Sequence, residues 1–361
     1  MIRCTNCGSP FPEEGIPYRC PKCGGVYNYE SFPRYDPTRI NPELPGIWRY
    51  RYSFDLPEAA PLVTLGEGNT PLIWAEAFGA QVAFKLDYLN PTGSFKDRGS
   101  APLVSFLLTR GAQAAVEDSS GNAGSSFAAY AARGGLRARI FIPDSASGPK
   151  RAQIEAYGAE VVRILGPRSN AADAVKRAAE QGAVYASHAY LPQLLPGYAT
   201  LAYELVEEMG DAPGTVITPV GQGSLLLGIG YGFQALQQAG VIDRMPALVG
   251  VQARACAPLW AVFHYGTAGL GWVGEAPTLA EGVRIKHPVR GDALIKMVED
   301  SGGTFVAVDE EEILPGRDEL AHKGLYVEPT SAIVWNGLAQ LREKVSGPIA
   351  VVLTGSGFKS L

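Results

Sequence analysis

From about residue 60 onward, short apolar runs rich in β-branched residues alternate with alanine-rich stretches at helical spacing. Strands are predicted at 82–86, 114–116, 139–142, 161–165, 183–186, 215–220, 248–251 and 349–353. Helices are predicted after Gly93 and over 122–133, 149–157, 171–180 and 201–209; in the last, Leu201, Leu205 and Met209 share one face. The alternation points to an α/β fold with largely parallel sheets. The chain shows no solenoid-type repeat and no low-complexity tract.

The first 60 residues break the pattern. Residues 1–30 carry two Cys-x-x-Cys turns and little that could build a core, so they read as a separate module. Residues 31–60 include Pro33, Pro37, Pro42, Pro45 and Pro57. Proline interrupts regular structure, and this stretch reads as a linker laid across a surface.

Composition narrows the class. The 361 residues are 46% hydrophobic and 19% charged, which is globular. A formal net charge of -5 argues against a surface built for nucleic acid. No apolar run is long enough to span a bilayer, and the start, MIRCTNCG, lacks a basic segment followed by an apolar one. A cytoplasmic protein without membrane partners is expected.

Four of the five cysteines are Cys4, Cys7, Cys20 and Cys23. Twelve residues separate the two pairs, and glycines follow each: Gly8, then Gly24 and Gly25. Two tight turns presenting two thiolates each complete a tetrahedral site, and with all four positions filled the metal is structural. Zinc suits it best, iron next. Cys256 stands alone and reads as a buried apolar thiol.

Three glycine-bearing segments carry further chemistry. In Asn90-Pro-Thr-Gly-Ser-Phe-Lys96-Asp-Arg-Gly99, a lysine stands where a helix begins. The positive helix end helps its amine shed a proton, as Schiff-base chemistry requires. In Ser119-Ser120-Gly121-Asn122-Ala-Gly124, small residues permit close backbone approach and Asn122 can donate a hydrogen bond, or simply cap a helix. In Pro219-Val-Gly221-Gln222-Gly223-Ser224-Leu225, amides at a helix start make a phosphate cradle. It is not a dinucleotide fingerprint: Leu226 replaces the third glycine, and no acidic residue stands at a strand end about twenty residues on. Near the end, Thr354 in Leu353-Thr354-Gly355-Ser356-Gly357 sits at the carboxyl end of a strand, where ligands of open α/β sheets bind.

In this order, the segments resemble fold-type-II pyridoxal-phosphate-dependent enzymes over about residues 60–361, and among them the threonine synthases. The stretch Glu328-Pro-Thr-Ser-Ala332 and an N-terminal four-cysteine zinc ribbon also match that family. The resemblance implies a two-lobed architecture like the tryptophan synthase β subunit, with pyridoxal 5'-phosphate between the lobes. The larger lobe would take 61–100 and 191–361, and the smaller, mobile lobe 101–190. It implies that Lys96 carries the cofactor as a Schiff base and moves protons. Asn122 would contact the ring oxygen. Gly221, Gln222, Gly223, Ser224 and Leu225 would hold the cofactor phosphate, and Thr354 would face the pyridine nitrogen. Ser119, Ser120 and Gly121 would approach the substrate carboxylate. The implied reaction turns O-phospho-L-homoserine and water into L-threonine and phosphate, in a homodimer.

The match frays at substrate recognition. Many threonine synthases carry an Asn-Pro-x-Arg segment followed by Glu-Gly-Gln-Lys-Thr. Here the stretch from Ser187 and His188 to Gly197 and Thr200 has neither the arginine nor the lysine. Lys150 and Arg151, after Ser147, and Arg284 are candidate replacements. Gln222 stands where asparagine or glycine is usual. Two other readings follow: a threonine or serine ammonia-lyase or β-replacement enzyme on the same fold, and a non-catalytic binding protein. The intact lysine and glycine loops argue against the last.

Overall fold

The computed structural model describes residues 1–144, 148–166, 168–342 and 344–360; Ser147 lies outside them. In chain order the strands are β1 (Ile2–Cys4), β2 (Tyr27–Tyr29), β3 (Leu72–Ala77), β4 (Ala80–Lys85), β5 (Ala114–Glu117), β6 (Arg137–Pro143), β7 (Glu160–Ile164), β8 (Thr215–Pro219), β9 (Ala247–Ala253), β10 (Thr304–Val308) and β11 (Ile349–Val352). The α-helices are α1 (Lys96–Thr109), α2 (Asn122–Gly134), α3 (Pro149–Ala156), α4 (Arg168–Glu180), α5 (Leu195–Met209), α6 (Ser224–Gln238), α7 (Pro258–Tyr265), α8 (Gly291–Asp300), α9 (Glu310–His322) and α10 (Pro329–Leu341). Among the described residues, no helix is long and apolar enough to cross a membrane.

The chain folds as two compact units. The first comprises residues 1–68 and 90–197. Its parallel sheet runs β5-β6-β7. The outer edge of β5 is joined by a short stretch around Tyr185: the Val116 amide donates to the Val184 carbonyl at 2.8 Å, and the Ala186 amide to the Val116 carbonyl at 2.9 Å. The strand predicted at 183–186 is thus a single bridge, because the chain turns at once: the Leu191 amide closes on the Ser187 carbonyl.

The same unit contains the N-terminal module. Antiparallel β1 and β2 bring Cys4 opposite Tyr27. Phe11 meets Phe106 of α1 edge-on, and Tyr18 meets Tyr185 and Tyr190 likewise. The Arg110 guanidinium donates to the Pro12 carbonyl at 3.1 Å.

The proline-rich stretch 31–60 does more than cross a surface. It forms 3-10 turns at Pro37–Arg39 and Gly46–Ser53, and sends Ile47, Trp48 and Tyr50 fully into the interior. The Trp48 indole N–H donates to the Val63 carbonyl at 3.2 Å, satisfying its one polar atom. Proline excluded the long elements, while the aromatics between the prolines still found burial.

The second unit comprises residues 69–89 and 198–360. Its six-stranded sheet has the order β10-β9-β8-β11-β4-β3, parallel except for β3, which pairs antiparallel with β4. β8 and β11 are buried throughout, as strands covered on both faces must be. Helix α5 begins six residues before the predicted start. Pro196 falls in its first turn, where no helical N–H is lost. Gly197 is required there because a Cβ would strike the Arg98 carbonyl.

Candidate active site

Lys96 is the first residue of α1, and the turn before it is closely tied. Gly93 adopts φ +81 and its amide donates to the Asn90 carbonyl at 2.7 Å. The Thr92 amide and hydroxyl donate to the buried Asp97 carboxylate at 2.7 and 2.6 Å, and the Ser126 hydroxyl of α2 donates to it at 2.6 Å. Lys96 is half-buried, with Nζ 4.6 Å from the centre of the Phe95 ring. Asp97 therefore locks the lysine turn to α2 while the lysine stays accessible.

Helix α2 starts at Asn122, directly after the Ser119–Ser120–Gly121 loop. The Gly121 amide donates to the Ser119 hydroxyl at 3.2 Å, and the Ser125 hydroxyl donates to the Gly121 carbonyl at 3.1 Å. Gly124 lets the helix approach the loop, since a Cβ there would run into the Ser119 carbonyl. Lys96, Ser119, Ser120, Gly121 and Asn122 all belong to the first unit.

Within the second unit, Gly221, Gln222 and Gly223 lead from β8 into α6, whose first residues are Ser224 and Leu225. Gly223 adopts φ +82, and a Cβ would meet Leu294; one on Gly221 would meet the Gly282 carbonyl. Gln222 turns its side chain to structure: its Oε1 accepts from the Val289 amide at 3.1 Å, so its departure from the family pattern leaves the backbone loop intact. Thr354 follows β11 and is almost fully buried; its amide donates to the Ser331 hydroxyl at 2.8 Å. Glu328 and Gly355 fit so closely that a Cβ on Gly355 would strike the carboxylate. The sequence leaves the Glu328–Ala332 motif without a role, and support of the Thr354 segment is the role that Glu328 and Ser331 play.

The sequence reading missed Glu117. It ends β5, and its carboxylate is fully buried against the His188 ring, with Asp118 beside it. Burial pushes the Glu117 carboxyl up, but the His188 charge and hydrogen bonds from His188 and Ser119 bring it below the usual carboxylate range. Asp118 is pushed up by burial and by the Glu117 charge. Two acids closing an otherwise apolar strand were the available signal. Of the candidate cations, Arg151 pairs with Glu155 at 3.1 Å within α3, Lys150 lies in the same first turn, and Arg284 belongs to the second unit.

In the N-terminal module, Sγ atoms of Cys4 and Cys23 lie 3.5 Å apart, and those of Cys7 and Cys20 3.7 Å apart; all four fall within 4.8 Å of one another. A tetrahedron with metal–sulfur bonds of about 2.3 Å has edges of about 3.8 Å, so the thiols fit a zinc-type centre. Gly25 leaves room for it, since a Cβ would crowd the Cys4 sulfur. Cys256 is fully buried, and burial pushes its thiol up.

Residues 63–355 match the family described as pyridoxal-phosphate dependent enzyme. Threonine synthase of Methanocaldococcus jannaschii is 32% identical over 99% of this chain and 93% of its own. That of Synechocystis sp. is 37% identical over 87% and 82%. Among solved structures, the threonine deaminase of T.th. is similar at 26% identity and TM-score 0.68, over 80% of this chain and 92% of its own. The O-acetylserine dependent cystathionine beta-synthase of Helicobacter pylori, at 22% identity and TM-score 0.68 over 82% and 95%, shares the fold. The chain belongs to the pyridoxal-phosphate dependent enzyme family, on its threonine synthase branch.

Proposed function

We propose that this chain is a threonine synthase, converting O-phospho-L-homoserine and water to L-threonine and phosphate. The observation that carries the reading is how far the likeness extends: a relative named threonine synthase matches 99% of the chain, a span that runs through this chain's cysteine module and its glycine loops.

Pyridoxal 5'-phosphate fits the residues present. Gly221 and Gly223 lead into α6, whose first amides suit a phosphate, and a Cβ on either would push the loop off Gly282 or Leu294. When bound, the cofactor supplies an electron sink next to the substrate's Cα. Lys96 would hold it and, once displaced by the substrate amine, move protons at Cα and Cβ. The helix start favours the neutral amine that this work needs. Asn122 would donate to the ring oxygen, and Thr354 would face the ring nitrogen with a neutral hydroxyl. The amides of Gly221 to Leu225, with the Ser224 hydroxyl, would hold the cofactor phosphate. Ser119, Ser120 and Gly121 would hold the substrate carboxylate. Phosphate departs from Cγ and water adds at Cβ. Cys4, Cys7, Cys20 and Cys23 would hold a structural Zn2+, in a cytoplasmic homodimer.

One observation favours a second reading. The stretch 187–200 lacks the arginine and lysine of many threonine synthases, and a threonine deaminase shares the fold. A single assay separates the two. The purified holoenzyme is given O-phospho-L-homoserine while phosphate and threonine are measured together, with serine and threonine as controls watched for 2-oxo acid. Equal phosphate and threonine are expected. Oxo acid without phosphate release would replace this reading with a lyase.

A further inference from the structure

Glu117 and His188 are 71 residues apart in sequence, yet one buried carboxylate ties their two segments together. Glu117 Oε2 accepts from the Ser119 amide at 2.6 Å. Glu117 Oε1 accepts from the His188 amide at 3.4 Å and meets His188 Nδ1. A fully buried carboxylate needs a cation, since an ion taken out of water without a partner is strongly unfavourable. His188 is the only side chain between 186 and 200 that can carry positive charge.

The surroundings make this pair the charged part of the cluster. Asp118 accepts from the Tyr185 hydroxyl at 2.6 Å, and burial together with the Glu117 charge favours its protonated form. Arg168, on α4, acts on Asp118. Ser187, fully buried, accepts from the Ala189 and Tyr190 amides, both at 3.3 Å, which fixes the turn carrying His188. The His188 side chain keeps 16% exposure. With Nδ1 held by Glu117, Nε2 is the nitrogen left for a ligand.

We propose that His188, oriented by Glu117, grips the phosphate of the substrate in this chain, in place of the arginine and lysine that many threonine synthases carry in this stretch. The inference rests on the functional reading above. As an imidazolium the ring donates from both nitrogens, one to Glu117 and one to a phosphate oxygen, and such charge-assisted bonds are the strong ones. The same carboxylate holds the Ser119 amide, so the loop expected to bind the substrate carboxylate and the residue proposed to bind its phosphate are set by one group. His188 is a specificity-determining contact, and Glu117 is a positioning residue.

The test compares three ligands on the holoenzyme: O-phospho-L-homoserine by KM and kcat, inorganic phosphate by competitive inhibition, and L-2-aminobutyrate, which lacks a phosphate, by spectral titration. His188→Gln should raise KM and the phosphate inhibition constant about tenfold or more, with L-2-aminobutyrate affinity unchanged. Glu117→Gln should shift the same two constants in the same direction by less, and His188→Arg should restore most of the loss. If His188→Gln alone does not fold, the double variant Glu117→Gln/His188→Gln removes the buried charge and gives the same comparison. Unchanged KM and phosphate inhibition, or equal weakening of all three ligands, would overturn the assignment. A wild-type enzyme inert to O-phospho-L-homoserine would overturn the functional reading itself, whereas an active wild type with indifferent variants overturns only the role of His188.

Discussion

Thr92 and Asp97 close the lysine turn on itself: the Thr92 amide and hydroxyl both donate to the Asp97 carboxylate, at 2.7 and 2.6 Å, with Lys96 held between them in sequence. Ser126 adds a third bond from α2. Asp97→Asn puts an amide N–H where an acceptor is needed, and a buried donor is left without a partner. The expected cost is about 1–3 kcal/mol of stability. Because the turn positions Lys96, the absorbance of bound pyridoxal phosphate per subunit should fall as well. Thermal unfolding and the visible spectrum of the same preparation check both.

Gly124 is set by approach rather than by φ. A Cβ would collide with the Ser119 carbonyl, which is backbone and cannot swing aside. Gly124→Ala should therefore move the Ser119–Gly121 loop, costing about 1–3 kcal/mol from overpacking and weakening amino-acid binding more than cofactor binding. Spectral titration with L-2-aminobutyrate, set beside cofactor content, reads the two effects separately.

Much of this was legible in the sequence because the local rules are strong. The turn before Lys96, the glycines at 221 and 223 and the paired cysteines each demand a backbone that few residues allow, and they stand together in the chain. What was not legible depends on distance along it. Glu117 meets His188 only because residues 184–186 return to the edge of β5. Trp48 and Tyr50 sit among prolines, and their burial follows from tertiary packing that no periodicity announces. β10 holds an apolar run of four residues after Thr304, too short to distinguish by pattern from a helical turn, and parallel pairing with β9 decides it.

Lys85 is a buried cation serving the second unit. Its Nζ lies 2.8 Å from Glu204 and 2.9 Å from Glu208, and donates to the Thr70 carbonyl at 2.6 Å. Lys85 and Glu204 are both fully buried. Lys85→Met leaves a carboxylate without its counter-charge and should cost about 3–5 kcal/mol. Adding Glu204→Gln should recover part of that loss, because the fully buried group is then neutral and the carboxylate that remains, Glu208, is partly exposed. A denaturant-based double-mutant cycle gives the coupling; strict additivity would refute it.

Glu67 predicts a pH dependence. It is buried, and its Oε2 accepts from the Leu65 amide, the Thr64 hydroxyl and the Tyr130 hydroxyl. Burial still pushes its carboxyl above the usual range, ahead of the hydrogen bonds that lower it. A carboxyl with a raised folded-state value binds its proton more tightly when folded. Its contribution therefore favours the fold at low pH and turns against it as pH rises from the unfolded value through the raised one. Glu67→Gln should be more stable than the parent above that window and lose this part of the pH dependence. Denaturation midpoints across roughly pH 4 to 8 would show the two curves diverging upward; parallel curves would contradict the argument.

The Tyr18 ring packs on Tyr185 and Tyr190, and Arg19 donates to the Tyr190 hydroxyl at 2.6 Å while lying 4.8 Å from the centre of its ring. Both residues immediately precede Cys20, so the geometry of the cysteine centre sets where they stand. A module of about 30 residues has too little core to hold itself without a staple. Chelating the zinc proposed for these cysteines, or Cys20→Ser, should unfold residues 1–30 and release the segment that carries His188. Hydrogen exchange should then rise at 185–190 as well as in the module, and KM for O-phospho-L-homoserine should rise with little change in kcat. Faster exchange confined to the module, with KM unchanged, would show that the centre stabilises only itself.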